Sequence, residues 1–490
     1  MTSEAKNFLA GIAIGASATA VFAYACRPSA PPLRPPRSIP IRENPNLLSK
    51  ANIPSELLLA PGASGVVFGK RPDGRDGYVG KPASEDGHIL VIGPPGTGKT
   101  TSIADPTVLS WKGHTVSLVI KGDLKPRIRE LEAAGRRVLT FAPSAGTENT
   151  VRYDPFAGLT HHPEDAAEHM RAIAMTLCPM PPDTRDPVWI LAAQTFLTGA
   201  LLFYYRLGFG FHEAINRIAT RSVFEVIEEI EESGCKEAQS IVAKLSDVEA
   251  RLLSSVGFEM AVLSQLTSPA MMTAFAPAPN TTIIDWAELN SSPTPVNIIL
   301  QIPEEKIAVW KPLITLMLNQ LICTLTTRKT RTYPTNDLPP VLLCWDEFCA
   351  LMPIPSIISG LATLRSRGVT ILLMSQSIAA VSSLYGETAT KAIVEACGYK
   401  VILGAGEPDA QEYFSKLVGS TALLKASATR SVSAGLSAPF SATCGTSRAN
   451  SYSLDHRPLI RPQAFGSLTD AVCITPFGPF RVDKQPVYST

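Results

Sequence analysis

The sequence predicts an α/β fold, and three observations carry that expectation. Short apolar runs alternate with helical patterns between residues 88 and 141, the rhythm of a parallel sheet. A glycine-rich segment, Gly93-Pro94-Pro95-Gly96-Thr97-Gly98-Lys99-Thr100, lies where a strand hands over to a helix. Far downstream, Val341-Leu342-Leu343-Cys344-Trp345 ends in paired acids, Asp346-Glu347. A central strand with that ending delivers carboxylates to a ligand crevice.

The glycine segment fits the phosphate-loop pattern G-x-x-x-x-G-K-[ST]. Apolar residues 88–92 precede it, and a helix is expected from Thr101 onward. The pattern needs that context, because backbone N–H groups at a helix N-terminus hold the phosphates. Lys99 would reach the β- and γ-phosphates, Thr100 would hold Mg²⁺ through its hydroxyl, and Thr101 completes the candidate set. Asp346 would bind the same Mg²⁺, directly or through water. Glu347 is placed to orient and deprotonate an attacking water.

Residues 8–26 are almost wholly apolar and suit one bilayer crossing. Gly11 and Gly15 form a G-x-x-x-G pair. Arg27, Arg34, Arg37 and Arg42 follow the span against Lys6 before it, which leaves the C-terminal body in the cytoplasm. A cleaved signal peptide is the alternative, since Ala23-Tyr24-Ala25 resembles a cleavage site. Residues 27–45 are proline-rich and read as an extended spacer.

The 490 residues allow two or three domains. The net charge of +1 gives no global basic field to announce nucleic acid. Nine cysteines carry no C-x-x-C pairing and read as reduced thiols; Cys344 and Cys349 flank the acids without a histidine nearby, so no metal site is expected of them.

Strands are expected near 66–68, 115–120, 137–141, 296–301, 369–374 and 400–403, and helices over 125–134, 308–327 and 354–367. From 163 to 276 helical patterns dominate. Ser222-Val223-Phe224-Glu225 fits a capping box there. Residues 191–205 are apolar enough for a second span, but their length and polar content favour a buried core helix. The expected organisation is a transmembrane anchor at 1–27, a linker at 28–50, a nucleotide-binding domain at 51–160 resumed at 281–490, and an all-helical inserted domain at 161–280. Ser, Ala and Thr dominate 425–452, which reads as a flexible loop.

Taken in order, these motifs resemble the type IV secretion coupling proteins, the TraG/TraD-type conjugative DNA transfer ATPases of the FtsK/HerA-like motor class. The resemblance runs over nearly the whole chain. It includes the N-terminal anchor, the phosphate loop with Pro106-Thr107 and Trp111, Lys121-Gly122-Asp123, Asp186-Pro187-Val188-Trp189 and Gln301-Ile302-Pro303. Its strongest block is Trp345-Asp346-Glu347-Phe348 followed by Leu361-Ala362-Thr363-Leu364-Arg365-Ser366-Arg367-Gly368-Val369. Ser375-Gln376-Ser377, Tyr385-Gly386 and Arg457-Pro458-Leu459 complete it. Two departures stand out: one N-terminal span where most relatives carry two, and a phosphate loop without the family's usual serine before glycine and glycine after lysine.

The resemblance implies a RecA-like phosphate-loop motor, with ATP and Mg²⁺ bound between neighbours of a homo-hexamer. Gln376 would sense the γ-phosphate, and Arg365 would be the finger offered in trans, with Arg367 its rival. It further implies an inner-membrane protein, for which the one apolar span of this chain and the basic residues after it predict a single pass with a cytoplasmic body. That protein would drive a relaxase–single-stranded DNA complex or an effector protein into a type IV secretion channel, alongside the channel's components and associated ATPases. A nucleotide-stabilised docking receptor without motor activity and a non-conjugative DNA pump are the alternatives.

Overall fold

A computed structural model describes residues 48, 53–120, 125–144, 150–160, 162–182, 184–246, 250–331, 338–437 and 441–485. The expected anchor at 1–27, nearly all of the linker at 28–50 and the Lys121-Gly122-Asp123 motif lie outside the described residues. Contacts divide the chain into two units: one holds 415–460 together with 1–45, the other 46–414 and 461–490.

The larger unit opens with a small antiparallel sheet of β1 (Leu58–Leu59), β2 (Gly65–Lys70) and β3 (Tyr78–Pro82), in the order β1-β3-β2. Chain then alternates as expected: β4 (Ile89–Ile92), a π-helical turn (Thr100–Ala104), α1 (Asp105–Ser110), β5 (His114–Val119), α2 (Lys125–Ala133), β6 (Arg137–Phe141) and the short β7 (Val151–Arg152).

From here to residue 281 every regular element among the described residues is helical. The α-helices are α3 (Ala166–Leu177), α4 (Val188–Arg206), α5 (Phe211–Thr220), α6 (Val223–Glu232), α7 (Lys236–Ser246), α8 (Ala250–Glu259), α9 (Val262–Leu266) and α10 (Pro269–Phe275). The stretch leaves and rejoins the body at one place, because β8 (Thr282–Ile283) pairs in parallel with β7, Val151 opposite Thr282. The capping box of α6 forms as its sequence requires: Ser222 Oγ accepts the Glu225 N–H and Glu225 Oε2 accepts the Ser222 N–H.

The sheet resumes after α11 (Glu288–Ser291) with β9 (Val296–Gln301), α12 (Ile307–Thr326), β10 (Val341–Trp345), α13 (Ile357–Thr363), β11 (Val369–Ser375), α14 (Ile378–Tyr385), α15 (Glu387–Ala396), β12 (Tyr399–Ile402) and α16 (Pro408–Val418). Helices α4 and α12 are the two described helices long and apolar enough to cross a membrane; both are mostly buried inside the protein. The helix expected over 354–367 is shorter. A 3₁₀ turn, Arg365–Arg367, follows α13 and stops at Gly368, whose φ of 69° suits glycine.

In the smaller unit β13 (Ser420–Ser437) and β14 (Ser441–Pro458) pair as an antiparallel ribbon, from Ser420 opposite Pro458 to Ser437 opposite Ser441. Residues 425–437 and 441–452, expected as part of a flexible loop, lie in this ribbon. A hairpin ladder is satisfied by backbone groups alone, so it does not require the apolar alternation whose absence suggested a loop. The chain returns to the main sheet with β15 (Ala471–Thr475) and β16 (Gly478–Val482).

The main sheet has nine strands in the order β16-β15-β12-β4-β11-β10-β5-β9-β6. Neighbours from β12 to β6 are parallel, and β15 and β16 add an antiparallel edge. Strands β4, β5, β10 and β11 are buried along their whole length, which suits the unbroken apolar sequences of β4 and β10; β5 and β11 also bury His114, Thr115, Ser117, Thr370 and Ser375. Strand β11 lies between β4 and β10, with Ser375 opposite Ile92 and Leu373 opposite Trp345. The phosphate-loop segment, the paired acids and Gln376 therefore all leave the sheet at one carboxyl edge.

Candidate nucleotide site

The phosphate loop begins where β4 ends. Gly93 N–H donates to Ser375 O at 3.1 Å, carrying the ladder one residue past the strand. Thr97 folds the loop back on itself: its hydroxyl donates to Pro94 O at 2.8 Å. Gly96 and Gly98 hold φ of 78° and 89°, a region that costs a side chain energy. At Gly98 a Cβ would also come within 2.9 Å of Ser102 Oγ. Pro95 and Thr101 are exposed, whereas Lys99 is buried.

The Lys99 ammonium turns into the loop. Nζ donates to Gly93 O at 2.6 Å and to Pro94 O at 3.4 Å, and stands 3.7 Å from Glu347 Oε1. Thr100 Oγ1 donates to Asp346 Oδ2 at 2.5 Å. Gln376 Nε2 donates to Glu347 Oε2 at 3.1 Å. Residues read from three separate motifs thus form one connected constellation.

Asp346 and Glu347 are steered by the end of β10. Asp346 N–H bonds Leu118 O at 3.3 Å, and Glu347 then takes a left-handed conformation with φ of 56°. That conformation is uncommon for a residue with a Cβ and marks a site whose surroundings hold it in place. Asp346 is buried, and its Oδ1 has no hydrogen-bond partner among the described residues. Burial raises the Asp346 pKa, and the Glu347 charge adds to the rise, while Thr100, Lys99 and Arg127 oppose it. A buried carboxylate oxygen with spare lone pairs, beside a hydroxyl, is a donor set that suits a hard cation such as Mg²⁺. The residues present therefore fit both a phosphate chain and its metal.

The nearby thiols do not compete for this chemistry. Burial pushes the Cys344 thiol up to about 12 and the Cys349 thiol up to about 11, so both stay protonated at neutral pH. Cys349 Sγ meets Ser375 Oγ at 3.4 Å.

Arg365 and Arg367 do not join the constellation. Both precede β11, whereas the loop and the acids sit at carboxyl ends; the seven residues of β11 span roughly 20 Å. Arg365 is exposed, and its side chain makes no hydrogen bond or ion pair among the described residues. Arg367 is partly buried and donates through Nη1 to Arg328 O. One contact to the loop was missed: Lys484, after β16, donates through Nζ to Thr97 O at 3.0 Å. Lysine is common at surfaces and this one belongs to no motif, so only the fold brings it to view.

Sheet order, glycine loop and tandem acids together define a phosphate-loop α/β protein with a RecA-like body. The chain belongs to the type IV secretory system conjugative DNA transfer family, whose model matches residues 62–488. It is 24% identical to Protein VirD4 of Rhizobium radiobacter over 343 residues, 68% of this chain and 48% of the relative. It is 23% identical to the conjugal transfer protein TraG of Rhizobium radiobacter over 394 residues, 76% of this chain and 57% of the relative. The chain spans about half the length of the curated relatives it matches. Among solved structures it is similar to the bacterial conjugative coupling protein TrwBdeltaN70, with a TM-score of 0.64 at 15% identity, covering 94% of this chain and 95% of that one. It is also similar to TrwB in complex with the ATP analogue ADPNP, with a TM-score of 0.64 at 16% identity, covering 94% and 96%. A further similar structure is TrwB with ADP and Mg²⁺.

Proposed function

We propose that this chain is a coupling ATPase: it binds ATP with Mg²⁺ at the phosphate loop and uses hydrolysis to drive cargo into a type IV secretion channel. The observation that carries the reading is the Thr100–Asp346 hydrogen bond, which joins the loop to the acidic strand at one sheet edge. Membership of a conjugative DNA transfer family supports relaxase-bound single-stranded DNA as cargo, with an effector protein as the alternative. Partners would be the channel's components and its associated ATPases.

In this reading backbone N–H groups from Gly96 to Thr101 would hold the phosphates, since Pro94 and Pro95 carry none and the Gly93 N–H is spent on Ser375 O, and Lys99 would leave its loop carbonyls to neutralise the β- and γ-phosphate oxygens. Thr100 and Asp346 would hold the Mg²⁺, which would supply charge stabilisation to the phosphate chain. Glu347 would orient the attacking water and take its proton, and Gln376, whose amide donates to the Glu347 carboxylate, would sense the γ-phosphate. The left-handed backbone at Glu347 supports this role, since it aims the carboxylate at Lys99 and Gln376 rather than along the strand.

Arg365 cannot reach its own site across β11, but it is exposed and unengaged, which supports a finger inserted into the neighbouring subunit of a hexameric ring. Its bond to Arg328 O makes Arg367 the weaker candidate. The helices between β7 and β8 would form the inserted all-α domain, a reading supported by the pairing of the two flanking strands. Residues 1–27 would anchor the chain in the inner membrane by a single pass, with the body in the cytoplasm.

Steady-state ATP hydrolysis tests the proposal. The chain should turn ATP over with Mg²⁺ and lose that activity on Glu347→Gln; equal turnover by both proteins would refute the assignment.

A further inference from the structure

Lys484 approaches the phosphate loop from 387 positions away, and the fold delivers it there through backbone rather than through a free side-chain swing. As the chain leaves β16, Asp483 O accepts the Lys70 N–H at 2.8 Å. This clamp depends on Gly69, where a Cβ would lie 2.2 Å from Asp483 O. Strand β2 is in turn tied to the helix that follows the loop. Val67 N–H donates to Thr107 Oγ1 at 3.0 Å, and Ser110 Oγ donates to Gly65 O at 2.9 Å. The loop, α1, β2 and the post-β16 segment therefore hold one another in register.

The contact falls on a consequential atom. In a trans peptide the C=O and the following N–H point in opposite directions. Fixing Thr97 O toward Lys484 fixes the Gly98 N–H toward the other side of the loop. That N–H donates to no acceptor among the described residues, so it is a spare donor in the middle of the phosphate-loop motif. The conformation also has to be held, because Gly98 at φ 89° lacks the steric restraint that a side chain would give.

We propose that Lys484 is a positioning residue for phosphate binding: its ammonium pins the Thr97–Gly98 peptide so that the Gly98 N–H stays turned toward the incoming phosphates. This rests on the reading of the loop as a nucleotide site. A charge-assisted hydrogen bond to a carbonyl is strong enough to bias a flexible glycine peptide. Burial lowers the Lys484 pKa, and the Asp470 charge opposes that shift.

The test is calorimetric titration of the full chain with ADP and Mg²⁺, together with melting temperatures measured without nucleotide. Lys484→Met should weaken ADP binding about tenfold, and Lys484→Arg should restore it to within about threefold, because arginine keeps the charged donor. If Lys484→Met fails to fold, Lys484→Gln replaces it under the same expectation. ADP affinity within about twofold of wild type in the neutral variant, with or without a lower melting temperature, would show a mere tether and overturn the proposal. Failure of the wild-type chain to bind ADP would instead refute the nucleotide reading itself, which separates the two failures.

Discussion

Thr100 and Asp346, 246 positions apart in the chain, share a 2.5 Å hydrogen bond at the carboxyl edge of the main sheet. One residue opens the helix after the phosphate loop, and the other ends the strand two places away across β11. Their contact makes a single site of two distant motifs, and the consequences can be measured.

Lys99→Ala should weaken ADP binding by about 100-fold, since the variant loses the ammonium that would pair with the phosphates. Calorimetry measures this directly. Affinity unchanged from wild type would mean that phosphates do not bind in this loop.

Glu347→Gln should keep nucleotide affinity close to wild type and lower the hydrolysis rate by about 10²–10⁴-fold, the usual worth of a general base. The amide still meets Gln376 but cannot take a proton. Filter-retained radiolabelled ATP and phosphate release together check both halves.

Arg365→Ala alone should be as inactive as Glu347→Gln. Mixed together, the two should recover part of the activity, because one subunit brings the finger and its neighbour the base. No recovery in rings shown to contain both chains would leave Arg365 without a role in trans.

Lys81 offers a test of the body itself. It is fully buried, with Nζ donating to Glu85 O and to Thr370 Oγ1, and burial pulls its pKa down to about 7 from 10.5. Between those values the unfolded chain holds more protons than the folded one, so stability should rise with pH across that window and be lost again as pH falls toward 7. The Lys81 contribution approaches about 1.4 kcal/mol per pH unit at most. Urea midpoints of wild type should climb more steeply from pH 7 to 10 than those of Lys81→Met; parallel slopes would show that the amine is not held neutral.

Much of this site was legible because its elements obey local rules. Strands β4 and β10 are buried throughout, so their sequences are continuous apolar runs that need no tertiary context to read. Glycines and a lysine at fixed spacing announced the loop for the same reason. The rest depended on partners distant in sequence. Two-residue strands such as β7 and β8 carry no periodicity, though their pairing closes off the helical stretch. The ribbon of β13 and β14 is held by its backbone ladder, which composition does not encode. Lys484 gains meaning only from β16 and the Gly69 clamp.

The shared metal is the centre of the proposal, and Mn²⁺ in place of Mg²⁺ probes it most directly. Electron paramagnetic resonance should detect one Mn²⁺ bound with ADP per chain, and both Thr100→Ala and Asp346→Asn should weaken that binding at least about tenfold. Wild-type Mn²⁺ affinity in either variant would contradict a site in which the loop and the acidic strand grip one ion.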